Sequence, residues 1–196
     1  MKNRITRLSS LVCVLLLLAS ASQSQQKPSY KELPNFQKVS DQLYRGAQPI
    51  DGGIRKLSEL GIKTVINLRG PDEVIRGEQK ETETAGLRYF NIPMPGLSAP
   101  TDEQVARVMS IINDPDNQPV FVHCKRGADR TGTIGAIYRI SHDGWAADRA
   151  IAEARLYGMS WAEFGMRSYI SDYYKQQLRT RNQPTTAASR STAASH

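Results

Sequence analysis

Cysteine, histidine and long apolar runs are scarce in this chain, and each scarcity excludes something. Cysteine occurs only as Cys13 and Cys124, too few for a disulfide-stapled scaffold. Histidine occurs three times, and His196 lies in a polar tail, so no metal-ligand cluster and no cofactor is expected. Only Leu11 to Ala19 is continuously apolar, nine residues against the roughly 20 that a membrane-crossing helix needs. Strong charge of one sign is also missing. The formal charge of +7 falls to +4 once Lys2, Arg4 and Arg7 are set aside with the leader described next. That excess suits anionic substrates but is too thin for a nucleic-acid face, and we expect no nucleic-acid partner. A content of 39% hydrophobic and 23% charged residues in 196 residues fits one globular domain.

The apolar run follows a basic start and precedes the small residues Ala19-Ser20-Ala21, the layout of a secretory signal peptide. Residues 1–21 are therefore read as a cleaved leader and the protein as exported, to a bacterial periplasm or the medium, with no stable membrane insertion afterwards. Cys13 falls inside the run without a small residue before it, which argues against lipidation. Cys124 is then the one thiol of a mature chain that we expect to be monomeric, and in an oxidising compartment it needs a chemical reason. Residues 182–196 are small, polar and aperiodic, and read as a disordered tail.

Over residues 30–179 strand-like and helix-like patterns alternate, which predicts an α/β domain with a central, mostly parallel sheet flanked by helices. Leu57 to Arg69 and Thr82 to Met94 each read helix, glycine, strand, with Gly61 and Gly86 placed just past a helix end. Pro119 to His123 is a short apolar run suited to a strand buried on both faces. Val105, Val108, Met109 and Ile112 share one helical face. So do Ile134, Ile137 and Tyr138, and later Met166, Tyr169, Ile170 and Tyr173; all three faces are expected to pack in the core.

The chemistry concentrates in Val120 to Thr133, VFVHCKRGADRTGT. Here a strand runs into a loop and the loop into a helix starting near Arg130. Five residues separate Cys124 from Arg130, enough to wrap backbone N–H groups around a tetrahedral anion. Gly127 supplies the freedom for that curl, and the helix adds the positive end of its dipole. Lys125, Arg126, Gly127, Ala128, Asp129 and Arg130 thus form a candidate phosphate-binding loop. A thiol in such a setting titrates at about 3.5–7.5, so Cys124 would be a nucleophile at neutral pH. Arg130 can fork onto two phosphoryl oxygens, and Thr131 can hydrogen-bond the sulfur. His123 is expected beneath the loop as a structural hydrogen-bonding residue, and Arg45 and Arg69 are also read as structural.

The segment resembles the protein tyrosine phosphatase superfamily, whose motif is His-Cys, five residues, Arg, then Ser or Thr. Within it the chain is most similar to the atypical dual-specificity phosphatases of plants and fungi and their bacterial relatives. Leu43 to Pro49 (LYRGAQP) and Leu60 to Arg69 (LGIKTVINLR) extend the resemblance over roughly Phe36 to Ile140. It implies the cysteine-phosphatase fold and metal-free hydrolysis of a phosphorylated protein or small molecule through a cysteinyl-phosphate intermediate. Phosphoinositides and inositol polyphosphates are alternative substrates. The eukaryotic relatives carry Lys-His before the arginine, whereas this chain has Ala128-Asp129, which looks like the loops of certain bacterial lipid and tyrosine phosphatases and of the myotubularins.

Two aspartates compete for the role of general acid. Asp102 lies 22 residues before Cys124, where the plant and fungal relatives also carry an aspartate, in a segment where Thr101 and Gln104 can form a capping box. Asp129 rides on the phosphate loop itself, yet its charge opposes thiolate and phosphate unless it is protonated or paired with Arg126. We favour Asp129 and retain Asp102. A rhodanese-like sulfurtransferase and a phospho-binding module without turnover are the rival readings of the same loop. Lys125 and Arg126 together suggest substrates carrying more than one phosphate.

Overall fold

The computed structural model describes residues 29–70 and 73–182, with side chains for all of these except 73–75. The expected leader with Cys13 and residues 183–196 of the expected tail lie outside the described residues. In chain order the strands are β1 Gln37–Lys38, β2 Leu43–Ala47, β3 Thr64–Asn67, β4 Arg88–Asn91 and β5 Val120–Cys124. The helices are α1 Gly53–Glu59, α2 Glu73–Thr84, α3 Asp102–Asn113, α4 Asp129–His142, α5 Ala147–Leu156 and α6 Phe164–Asn182. Among the described residues no helix is long and apolar enough to cross a membrane.

The five strands form one sheet in the order β1-β2-β5-β3-β4, parallel except for β1. This is the mostly parallel sheet flanked by helices that the alternating pattern predicts. β5 is buried along its whole length, as its apolar run requires, and lies between β2 and β3. Gly46, His123, Asn67 and Asn91 share one row at the C-terminal edge, with Ala47 beside Cys124. The loops leaving β2, β3, β4 and β5 therefore start from the same edge, where open α/β sheets bind ligands.

Side chains of β5 alternate between two cores. Val120, Val122 and Cys124 pack with Ile66, Leu68, Val105, Val108, Ile134 and Ile137. Phe121 points to the other face, among Leu33, Phe36, Ile54, Leu57 and Val65. A third cluster joins α4, α5 and α6 through residues such as Ala136, Ile140, Ala150, Ala154 and Ile170. The predicted faces of α3 and α4 are buried, and Tyr169 and Tyr173 of α6 pack partly buried against the first core. Gly61 and Gly86 both have φ +78°, as helix-ending glycines should.

Candidate active site

β5 delivers Cys124 at the sheet edge and α4 begins at Asp129, so Lys125 to Ala128 alone make the turn. Gly127 turns with φ +67°, and a Cβ there would lie 2.5 Å from Ala47 N and from Gly46 O. Both the torsion and the space demand glycine. Arg130, half-buried in the first turn of α4, donates through Nη1 to Leu68 O at 3.2 Å, just beyond the end of β3. Gly132 lets α4 approach α5 closely: a Cβ there would lie 3.2 Å from Ala154 Cβ.

The outer side of the loop is met by the segment around β1 and β2. Gln48 N donates to Lys125 O at 3.4 Å. Asn35 Nδ2 donates to Arg126 O and Gly127 O, each at 3.2 Å, and to Tyr157 O at 2.9 Å. Arg45 Nη2 donates to Gly127 O at 2.7 Å. Arg45 is 1% exposed, its guanidinium lies 4.6 Å from the Tyr157 ring centroid, and burial lowers its pKa to about 10. It keeps its proton at neutral pH, where its charge is felt by Cys124.

Cys124 is 3% exposed, and burial pushes its thiol up. The Thr131 hydroxyl and amide, the Arg130 charge and the Arg126 amide outweigh that penalty, and the thiol titrates below its ordinary value. Thr131 Oγ1 is buried with no hydrogen-bond partner among the described residues, which leaves its hydroxyl available to the Cys124 thiolate that it favours. Thiolate, arginine and inward amides are what in-line attack on phosphorus requires.

His123 sits beneath the loop, stacked on Phe121 with centroids 5.6 Å apart. Its Nε2 lies 2.9 Å from Glu78 Oε1, which also accepts from Asn67 Nδ2 at 3.0 Å. Glu78, from α2, was not signalled by the sequence, because a glutamate on a polar helix gives no hint that it turns inward. Asn35 was missed as well, although Pro34-Asn35 reads as a turn; its φ of +55° is one that asparagine tolerates. Arg45 inside the strand LYRGA was the visible oddity, a cation where a buried strand calls for an apolar residue.

Asp129 is 6% exposed and has both carboxylate oxygens occupied: Oδ2 accepts from Arg126 Nη2 at 2.5 Å and Oδ1 from Ser160 N at 2.9 Å. Its charge is thus paired with Arg126, and through Ser160 it ties the loop to the segment between α5 and α6. Asp102 instead opens α3 at the solvent side, where Thr101 and Gln104 close the expected capping box. Its Oδ1 accepts from Tyr169 Oη at 2.7 Å. Partial burial and then the bond to Asp102 raise the Tyr169 pKa, so that hydroxyl remains a donor. Lys125 and Arg126 are exposed on the rim, the Arg126 side chain at 67% despite its pairing. Arg69 is half-buried and donates through Nη1 to Gln48 Oε1 at 2.7 Å.

Comparison with known proteins places this geometry. The family described as DSP-PTPase phosphatase fused to NAD+ kinase matches residues 18–172. Inositol diphosphatase DSP5 of Arabidopsis thaliana is 26% identical over 146 residues, covering 71% of this chain and 70% of its own length. Dual specificity protein phosphatase TpbA of Pseudomonas aeruginosa is 31% identical over 121 residues, 61% of this chain and 52% of its own. The core catalytic domain of the PP-IP phosphatase SIW14 of Saccharomyces cerevisiae, solved with citrate, shares the fold with a TM-score of 0.67. It is 23% identical and is matched over 78% of this chain and 93% of that one. The chain thus spans between about half and 70% of the length of these curated relatives.

Proposed function

The chain belongs to the family of dual-specificity-type, cysteine-dependent phosphatases, and from that membership we propose a mechanism, a substrate class and a location. The observation that carries the mechanism is the buried Cys124 thiol held below its ordinary pKa by Thr131, Arg130 and the Arg126 amide. Cys124 Sγ attacks phosphorus while the bond to the leaving oxygen breaks, and that oxygen takes the electron pair. Arg130 and the loop amides hold the charge on the phosphoryl oxygens. Water then gives a proton to the aspartate that protonated the leaving oxygen and attacks the phosphocysteine, the P–S bond breaks, and the Thr131 hydroxyl steadies the departing thiolate.

Asp102 is the proton donor we favour on this geometry. A proton on Asp129 would displace either Arg126 or the Ser160 amide, both of which hold it in the loop. Asp102 needs no such rupture, since among the described residues Oδ1 accepts from the Tyr169 hydroxyl alone, and its loop leaves the sheet edge that also delivers Cys124. In this assignment Asp129 offsets Arg126 and fixes the loop to the α5–α6 connection.

Lys125 and Arg126 favour substrates with more than one anionic group, since each presents an exposed charge beside the phosphoryl pocket. The curated relatives comprise an inositol diphosphatase and a protein phosphatase, so both classes belong in the test. Phosphotyrosine peptides, phosphoinositides and inositol polyphosphates are compared for the wild type and Lys125→Ala/Arg126→Ala. Losses concentrated on the multiply charged substrates, and relieved by salt, support the proposal; one equal factor on every substrate overturns it. Sulfurtransfer from thiosulfate without phosphatase turnover would instead install the rhodanese reading.

Export is the final element of the proposal, resting on the basic start, the short apolar run and the Ala19-Ser20-Ala21 segment. The intact mass of protein from a secreting host should begin close to residues 22–26 in a soluble fraction. A mass retaining residues 1–21 in the membrane fraction would refute it.

A further inference from the structure

We propose that Asn35 is a positioning residue for catalysis: with Arg45 it holds the carbonyls of the phosphate loop outward, and thereby aims the amides of Gly127 and Ala128 at the substrate phosphate. The inference rests on the phosphatase reading of the loop and assigns part of that function to a segment that holds none of the catalytic residues. In a trans peptide unit the C=O of one residue and the N–H of the next point in opposite directions, and the unit turns as one rigid plate. Whatever grips the carbonyl therefore sets the aim of the following amide.

Three consecutive plates of the loop are gripped in this way. Lys125 O accepts from Gln48 N, and the next amide, that of Arg126, stabilises the Cys124 thiolate. Arg126 O accepts from Asn35 Nδ2, which sends the Gly127 N–H inward. Gly127 O accepts from both Asn35 Nδ2 and Arg45 Nη2, which does the same for the Ala128 N–H. All three grips come from residues 35–48. The Gly46–Ala47 backbone in the same stretch also forbids a side chain at Gly127. Without these donors the outward carbonyls would have water or nothing to bind, and each plate could flip to present a carbonyl oxygen to the anion.

The orientation of the Asn35 amide is forced by its neighbours. Its Nδ2 faces three carbonyl oxygens, those of Arg126, Gly127 and Tyr157, and the reversed amide would set an acceptor against three acceptors. The third bond extends the grip to the end of α5, where the Tyr157 ring covers Arg45. The residue has φ +55° and is only half-buried, so it can be exchanged without opening a core cavity.

Two substitutions separate donor from shape. Asn35→Gly accepts the left-handed torsion and deletes the donor, whereas Asn35→Asp keeps the shape and replaces the donor with an acceptor. Two readouts are taken on the full-length protein: kcat and KM on an aryl phosphate, and the pH midpoint of Cys124 alkylation by iodoacetamide, with Tm recorded alongside. We expect kcat to fall about tenfold for Asn35→Gly and about a hundredfold for Asn35→Asp, from the loss and then the inversion of loop-directed hydrogen bonds. The alkylation midpoint should move to higher pH in the same order, with Tm little changed. Wild-type kcat and midpoint in Asn35→Asp would overturn the proposal. So would a loss of rate that follows a loss of Tm while the midpoint stays in place. Alkylation needs no substrate, so failure of the phosphatase reading appears separately, as a wild type without turnover whose midpoint still responds to Asn35.

Discussion

Cys124 ends a strand at one sheet edge and the two candidate acids follow loops that leave that same edge, yet their surroundings are built differently. Around Cys124 the polar groups are fixed before substrate arrives: amides of Arg126 and Thr131 support the sulfur, and Gln48, Asn35 and Arg45 grip the carbonyls behind the loop. The carboxylates have no comparable poise. Asp129 is clamped by Arg126 and Ser160, while Asp102 stands at an exposed helix start with Tyr169. On the proposed assignment, phosphate capture and nucleophile activation are preorganised, whereas proton delivery falls to a residue at the rim. A site with buried, fixed attack and solvent-side protonation should respond to its leaving group through one side only.

The widest separation between the two sides is expected from the aspartates. Asp102→Asn should cost about 10²–10⁴ in kcat on alkyl phosphates, and much less on aryl phosphates whose leaving groups need little protonation. The acid-dependent limb of its pH profile should flatten. Asp129→Asn should instead lower Tm and act alike on both substrate types, because it loosens the contact with Arg126 and Ser160. The reverse pattern, with the leaving-group dependence in Asp129→Asn, would move the acid onto the loop and erase the contrast between the two sides.

A smaller effect sharpens the picture on the preorganised side. The Thr131 hydroxyl favours the thiolate, so Thr131→Val should raise the thiol pKa and carry the rising limb of kcat/KM toward higher pH. The sign also applies to folding. A thiol whose folded pKa lies below its unfolded value stabilises the protein above the unfolded pKa, and that stabilisation is lost as pH falls through the folded one. Thr131→Val should narrow that window from its acid side. An unchanged limb, measured on a substrate with a good leaving group, would show that the hydroxyl serves packing alone.

What could be read in advance follows the distance between partners along the chain. Cys124, Gly127, Arg130 and Thr131 are local, and their spacing alone implies a curled anion loop at a helix start. The faces of α3, α4 and α6, and the glycines after two helices, are local too, since periodicity and torsion leave marks within a few residues. The backing of the loop is not. Asn35 meets Arg126 and Gly127 across 91 and 92 residues, and Arg45 meets Gly127 across 82. Glu78 reaches His123 across 45, and Ser160 reaches Asp129 across 31. Nothing in the local pattern specifies such pairings. The preference for Asp129 as acid rested on its place in the loop, and the amide that occupies its second oxygen belongs to a distant segment.

A phosphoryl group carried on Cys124 between two half-reactions can be observed directly. Turnover of an aryl phosphate is stopped by rapid denaturation, and the peptide containing Cys124 is weighed. A wild-type fraction should be heavier by one phosphoryl group on Cys124, enlarged in Thr131→Val where the thiolate departs less readily, and absent from a folded, inactive Cys124→Ser. Phosphoryl transfer to another residue, or hydrolysis that persists in Cys124→Ser, would contradict a phosphoryl group carried on Cys124.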